Sequence, residues 1–497
     1  MAEEGTPPSR RSFVTTPIPT YVPRKSTAFY GRLVVLFVVC SVATIAGVAY
    51  AIGRLFGNQR PPLDLREAFI GSWSVLVSDE LPSERLLLVA LIGILIIGLC
   101  AVGLEAVSSL LTISPRRAYL ERLRGVDALT SSPGAAVRIT VVIPAHNEEA
   151  TLPTTLEALH RQTRRADRII VVADNCTDRT PTIARDMGHE AFETVRNSHK
   201  KGGALNQVLG QILPVAGPHD VILVMDADTS LGPRFLETAA SHIEADPELA
   251  AVGGVFYGEP GGGILGQFQR NEYARYSLQI RQRRGRVFVL TGTATMFRAE
   301  ALLDVAAARG TFIPGEPGKV YDTAALTEDN ELTLALKSLG ATMMSPRECY
   351  VVTEIMPTWR NLWTQRQRWQ RGALENLSAY GFTLATLRYW GQQVGIGYGT
   401  VALNSALLLM LITFFAVDTW IWFPFWTVIG LVFLVERVAT VWRAGWQARL
   451  LAVTLLPELV YDVFLQAVFV NSLWRIATNR VADWGHVQRA APSGAEP

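Results

Sequence analysis

Apolar residues collect toward both ends of this 497-residue chain, and the charges collect in its middle. Residues 33–53 and 86–104 contain no charged residue and are bounded by Arg32, Arg54, Arg85 and Glu105. As helices, each is long enough to cross about 30 Å of hydrocarbon. Further apolar stretches cover 396–417, 419–435 and 450–474 and predict two or three more crossings. Arg10, Arg11, Arg24, Lys25 and Arg32 favour a cytoplasmic N-terminus. Two crossings then return the central region to the cytoplasm. A cleavable signal is not expected, because about thirty polar residues precede the first stretch.

The last stretch is awkward. It carries Glu458 and Asp462, and a carboxylate at membrane depth must face protein or water. A third C-terminal crossing would also put Arg475, Arg480 and Arg489 outside, against the positive-inside tendency. Three crossings are nonetheless expected, one of them partial or tilted, with Glu458 or Asp462 lining a path through the membrane. The chain thus divides into a disordered N-terminus (1–31), two transmembrane helices with their loop (32–113), and a cytoplasmic domain (114–390). Interfacial helices are expected near 357–390, two or three spans over 391–474, and a tail over 475–497.

Within the central domain, the runs 138–143, 168–173 and 221–225 are short, apolar and rich in β-branched residues. Leu152, Leu156 and Leu159 follow the first run at helical spacing. Near-continuous apolar strands alternating with helices predict an α/β fold with a parallel sheet covered on both faces. Ligands bind such sheets beyond the carboxyl ends of the strands. Polar clusters sit at those ends: Pro144-Ala-His-Asn-Glu148, Asp174-Asn-Cys-Thr-Asp178 and Asp226-Ala-Asp228. Three such clusters at one rim indicate a nucleotide-type site.

Charge and cysteine content narrow the choices. A formal net charge of +2 gives no case for nucleic acid as a partner. Cys40, Cys100, Cys176 and Cys349 have no metal-ligand spacing and imply no disulfide framework.

The motifs carry the chemistry. Asp226 and Asp228 can share one divalent cation, and hard oxygen ligands suit Mg²⁺ or Mn²⁺ bound with substrate phosphates. Thr327-Glu-Asp329 opens a stretch in which Leu332, Leu336 and Leu339 recur at helical spacing. Its acids suit a helix N-terminus, and Asp329 is the candidate general base for an acceptor hydroxyl. Gln365, Arg368 and Trp369 share a helical face. Arg368 can clamp phosphate oxygens, and Trp369 offers a flat face to a sugar ring. The neighbouring Trp359, Arg360, Trp363, Arg366 and Arg371 fit a helix lying at a membrane surface. Residues 200–206 (Lys-Lys-Gly-Gly-Ala-Leu-Asn) read either as a phosphate-holding loop or as a solvated one. Residues 292–298, which follow the apolar run 287–290, read either as the wall of an acceptor pocket or as a plain strand and turn.

With these residues assembled, the stretch from about Thr140 to Gly372 resembles the processive membrane glycosyltransferases of family 2, which make hyaluronan, chitin, cellulose or poly-N-acetylglucosamine. The resemblance implies a GT-A-like nucleotide-sugar domain inserted between transmembrane helices, a UDP-sugar donor, and a growing polysaccharide or lipid acceptor. It implies that Asp174 contacts uracil and that Lys201 lies near the diphosphate. Asp226 and Asp228 would hold donor and metal, with Asp329 as the base. Gln365 and Arg368 would bind the donor's phosphates, and Gly292, Thr293, Glu328 and Trp369 would face the acceptor. Membrane lipids are the remaining partner. Many members have two adjacent aspartates after the second strand, whereas here the first is Ala173. The short segment after the last span leaves no room for the cyclic-dinucleotide sensor of cellulose synthases, which favours an amino-sugar polymer. Single-sugar transfer to a polyprenyl phosphate or lipid is the alternative enzyme reading, and a non-catalytic membrane scaffold or receptor the alternative of another class.

Overall fold

The computed structural model describes residues 136–480 except 284, 417, 418 and 423, strands at 65–70 and 73–78, and scattered helical positions between 32 and 92. The predicted spans 33–53 and 86–104 therefore lie largely outside the described residues, as do the two terminal segments.

Strands β1 (Leu65–Ile70) and β2 (Trp73–Ser78) form an antiparallel hairpin. The central domain then runs β3 (Arg138–Ala145), α1 (Leu152–His160), β4 (Arg168–Ala173), α2 (Thr180–Asp186), β5 (Glu190–Glu193), α3 (Lys200–Ile212) and β6 (Asp220–Met225). It continues with β7 (Ser230–Leu231), α4 (Phe235–Ala245), β8 (Leu249–Gly253), β9 (Val255–Gly258), α5 (Gly263–Gln282), β10 (Ala294–Arg298), α6 (Ala299–Ala308) and α7 (Glu328–Ser338). After β11 (Thr342–Met344) and β12 (Tyr350–Thr353) come the helices α8 (Trp359–Tyr380) and α9 (Leu387–Ala416). The strand β13 (Thr419–Trp422) separates α9 from α10 (Pro424–Thr440), α11 (Trp446–Val453) and α12 (Leu456–Ala477).

Seven strands form the main sheet in the order β11-β8-β10-β6-β3-β4-β5. The three apolar runs recognised in the sequence are its centre: β3 pairs in parallel with both β4 and β6. Their side chains are buried on both faces, with Ile139, Val141 and Ile143 against one layer and Val142, Ile170 and Ile222 against the other. The sheet is mixed rather than wholly parallel, because β10 runs antiparallel to β6 and to β8. The strand lies at Ala294–Arg298, inside the segment read as a pocket wall or as a plain strand and turn, and the apolar run 287–290 before it forms no strand. There Lys337 Nζ bonds the carbonyls of Val287 and Phe288, so a side chain takes the acceptors a ladder would use.

The segment 200–206 is the start of helix α3, not a loop. Its glycines allow close approach: a Cβ at Gly203 would sit 2.1 Å from Asn197 Oδ1. Among the described residues, two helices are long and apolar enough to cross a membrane, Leu387–Ile412 and Leu456–Ala477. The predicted span 419–435 is divided between β13 and α10. The expected path-lining role of Glu458 and Asp462 does not match their surroundings. Arg275 of α5 donates to both Glu458 oxygens at 2.7 Å, Arg437 pairs with Glu458 at 3.2 Å, and Arg437 also pairs with Asp462. Both carboxylates fasten helix to helix.

Candidate active site

Each cluster at the carboxyl rim is held by its own local chemistry. Asp174, buried at the end of β4, accepts on Oδ1 from Thr194 at 2.8 Å, Asn197 at 2.8 Å and Asn175 at 3.1 Å. Its carbonyl lies 2.6 Å from His146 Nδ1, which ties the first cluster to the second. The carboxylate is thus oriented by three donors at the sheet rim.

Lys201, in the first turn of α3, is the electrostatic centre. Its Nζ lies 2.6 Å from Asp226 Oδ1 and 3.2 Å from Glu328 Oε1, so one ammonium bridges the end of β6 and the start of α7. Burial would lower its pKa, but Asp226, Glu328 and Asp329 raise it above the ordinary lysine value, and it stays charged.

Asp329 Oδ1 accepts from its neighbour Asn330 N at 2.8 Å, and Oδ2 accepts from Gly292 N at 3.1 Å. Burial, with the charge of Glu328 beside it, pushes its pKa up to about 6, against the pull of Lys201. Burial also opposes ionisation of Glu328, yet Lys201, its own backbone N–H and Arg368 hold it below the usual carboxylate range. Two adjacent carboxyls in one buried turn therefore part in acidity, one fixed as an anion and one poised to exchange a proton. Thr327 does not cap the helix with its side chain; its Oγ1 instead accepts from Asn376 at 3.2 Å.

Helix α8 closes the site from above. Its N-cap Thr358 accepts from Asn361 N at 3.2 Å. Gly372 lets α8 pass so close to the catalytic turn that a Cβ there would meet Thr327 Oγ1 at 2.4 Å. Asn376 also donates to Asn330 Oδ1 at 3.0 Å. The influence of Arg368 on Glu328 places this part of α8 over the acidic turn, and Trp369 is partly exposed beside it. Gln365 Oε1 accepts from Arg366 at 2.6 Å. Gly292 borders Asp329 directly, and the carbonyl of Thr293 accepts from Asp226 N at 3.0 Å.

Asp226 and Asp228 flank Ala227 at the end of β6, both half-buried. Among the described residues no group of three or more His, Cys, Asp or Glu side chains forms a metal cage. Two hard carboxylates fit a cation that keeps open positions for water and diphosphate oxygens, as Mg²⁺ and Mn²⁺ do. Lys201 already satisfies one oxygen of Asp226.

Residues 135–372 match the family described as "Glycosyltransferase like family 2". The chain carries a family-2 glycosyltransferase domain. Over 258 residues, 50% of this chain and 58% of the relative, it is 26% identical to poly-beta-1,6-N-acetyl-D-glucosamine synthase of Staphylococcus aureus (strain COL). It is 28% identical over 268 residues to the probable glycosyltransferase YdaM of Bacillus subtilis (strain 168), covering 52% of this chain and 60% of that one. The chain thus spans under two thirds of the length of these relatives. Among solved structures, a mannosyltransferase of Pyrobaculum calidifontis in complex with GDP-Man and Mn²⁺ is similar at 16% identity and a TM-score of 0.45, over 77% of this chain and 99% of that one.

The glycosyltransferase domain also uses residues that sequence reasoning passed over. Asn206 receives the backbone N–H groups of Val320 (3.1 Å) and Tyr321 (2.9 Å) and donates to the carbonyl of Tyr321 at 2.8 Å. That pins the loop whose Tyr321 ring lines a small cavity behind Lys201 and Asp329. Arg309 and Glu331, both fully buried, form an ion pair that also receives Tyr380 of α8 at 2.5 Å. Arg366 was read as a surface cation, but it is buried, bonds Glu272 of α5 at 3.0 Å, and lies 4.2 Å from the Trp369 ring centre. Only helical spacing could have separated it from Arg368. Two positions earlier on the same helix puts it on a different face.

Proposed function

We propose that the protein is an integral membrane glycosyltransferase that takes a UDP-sugar from the cytoplasm, extends a β-linked polysaccharide with inversion, and passes the polymer between its membrane helices. UDP-N-acetylglucosamine is the favoured donor, supported by the likeness to the staphylococcal synthase over the aligned half of the chain. One observation carries the reading: Asp226, Lys201, Glu328 and Asp329 converge at one sheet rim beneath the helix bearing Gln365, Arg368 and Trp369.

In this reading Asp174 recognises the uracil, and Lys201, Gln365 and Arg368 hold the diphosphate. Asp226 and Asp228 would hold Mg²⁺ or Mn²⁺, which when bound neutralises charge on the leaving diphosphate. Asp329 removes the proton of the attacking hydroxyl on the face opposite the leaving group, while Gly292, Thr293, Glu328 and Trp369 seat the acceptor. A single base suffices, unlike the carboxylate pair of glycoside hydrolysis. Membrane placement is supported by the exposed apolar residues of α9 and α10, among them Leu409, Phe415, Val432 and Phe433. It is also supported by the parallel pairing of β13 with β2, which brings the loop between α9 and α10 to the loop after the first apolar run.

The test uses purified full-length protein with UDP-N-acetylglucosamine and Mn²⁺ or Mg²⁺, reading UDP release and product mass. A ladder of many sugars is expected, abolished by Asp228→Ala. One sugar per lipid would instead support the polyprenyl-acceptor reading. A folded protein that releases UDP from no UDP-sugar would support the scaffold.

A further inference from the structure

Helix α12 is long and apolar enough to span a bilayer, yet its contacts run along the catalytic domain from end to end. Near its start, Glu458 is bound by Arg275 and Asn271 of α5, and Tyr461 donates to Glu272 of α5 at 2.6 Å. Midway, Phe464 packs edge-on against Trp363 of α8. Near its end, Asn471 bonds Gln367 of α8, and Arg475 donates to Gln367 at 2.9 Å. Ile476 then joins Leu374 and Leu377 in one cluster. As the α8 partners advance from 359 to 377, the α12 partners advance from 461 to 476, so the two helices lie side by side in parallel.

That arrangement excludes a crossing by α12. Carrying it through a bilayer would take α8 along, with Arg366, Arg368, Arg371 and Glu375, and charges in hydrocarbon are among the costliest insertions. We infer that α11 and α12 lie on the cytoplasmic membrane surface as a platform docked on lipid, and that after the catalytic domain only α9 and α10 cross, α10 with 17 residues at the short end of a span. The inference rests on the membrane placement proposed above.

The outward side of the platform fits a lipid partner. Leu456, Val460, Val470 and Trp474 are more than half exposed and recur along one stripe of α12, while Glu458, Tyr461, Val468 and Ser472 are buried on the other. Trp446, Leu450 and Val453 continue the apolar exposure on α11. Beside them Arg449 stacks over Trp442, 4.4 Å from its ring centre, an anchor suited to the headgroup level. Helix α10 likewise exposes Val428, Leu431, Val432 and Val435. The topology also becomes consistent with charge: the two N-terminal spans plus α9 and α10 return Arg475, Arg480 and Arg489 to the side of Arg10 and Arg11.

The test is labelling of full-length Ser493→Cys and Asp418→Cys in intact cells with a membrane-impermeant maleimide, against the unmodified chain as background. Asp418→Cys should label from outside, and Ser493→Cys only after permeabilisation. Labelling of both in intact cells overturns the inference but leaves the membrane reading standing; labelling of neither overturns both. A spin label at Ala467→Cys, in vesicles of phosphatidylcholine and phosphatidylglycerol, should report a depth near the headgroup–acyl boundary. A midplane depth, or full water exposure, refutes the platform.

Discussion

The proton affinity of Asp329 makes two measurements move in opposite directions. Its ordinary pKa is 3.8, and burial together with the charge of Glu328 raises it to about 6. A base of that strength is roughly one tenth ionised at pH 5 and about nine tenths at pH 7, so kcat/KM should climb through about pH 6. An unperturbed carboxylate would already be fully active at pH 5. Stability carries the opposite sign. A carboxyl whose folded pKa lies above its unfolded value binds its proton more tightly when folded. The contribution is present below about pH 3.8 and is lost as pH rises through about 6. A shift of about two units corresponds to about 3 kcal/mol. Asp329→Asn, which keeps an acceptor for Gly292 N–H, should therefore abolish transfer while stabilising the protein at pH 7 by up to about 3 kcal/mol. Glu328→Gln removes the neighbouring charge and should move the acid limb to lower pH. The assays are UDP release across about pH 4.5–8 and thermal unfolding at neutral pH. A wild-type profile flat down to pH 5, or an Asp329→Asn variant destabilised at pH 7, would refute the reasoning.

Three further perturbations probe the supports of the site. Gly372→Ala would drive a methyl into Thr327 and push α8 off the catalytic turn; an overpacking cost of about 1–3 kcal/mol is expected, with a larger proportional loss of kcat than of melting temperature. Glu331→Gln leaves the fully buried Arg309 without its counter-charge and should cost about 3–5 kcal/mol; a chemical-denaturation midpoint unchanged from wild type would contradict this. Glu458→Gln leaves Arg275 and Arg437 facing each other across α12. Limited proteolysis should then cut the α10–α12 region sooner while the central sheet stays protected, and equal cutting rates would count against the fastening role.

Legibility in the sequence followed the locality of the signal. The strands 138–143, 168–173 and 221–225 could be read because burial on both faces leaves an unbroken apolar run, and β4 falls where the pattern put it. Ala294–Arg298 could be read only as a strand and turn or a pocket wall, since its partners lie about seventy and forty residues upstream and only register with β6 and β8 gives it its antiparallel place in the sheet. The rim acids were visible because each follows a strand. Arg309 with Glu331, and Arg366 with Glu272, were not, because each pair joins elements distant in sequence. The third apolar stretch carries two signals of different range. Hydropathy counts α12 as a span, while Glu458, Asn471 and Arg475 gain meaning only from the helices beside them.

Helix α8 has two jobs on two faces. One carries Arg368 to the acidic turn, with Gly372 and Asn376 setting the distance. The other carries Arg366, Gln367 and Gln370 to partners on α5, α12 and α9. Apolar packing alone would hold those helices together but tolerate sliding, whereas hydrogen-bonded and charged pairs are satisfied in only one register. Their net contribution to adhesion is small, because desolvation offsets most of the attraction. Their effect is therefore on alignment. A displacement of α12 by one turn would part Tyr461 from Glu272, Glu458 from Arg275, and Asn471 and Arg475 from Gln367. Helix α8 thus keeps a fixed register to the helices at its back, and Trp369, lying against the Arg366 guanidinium, is the side chain where that register would reach the acceptor of the proposed reaction.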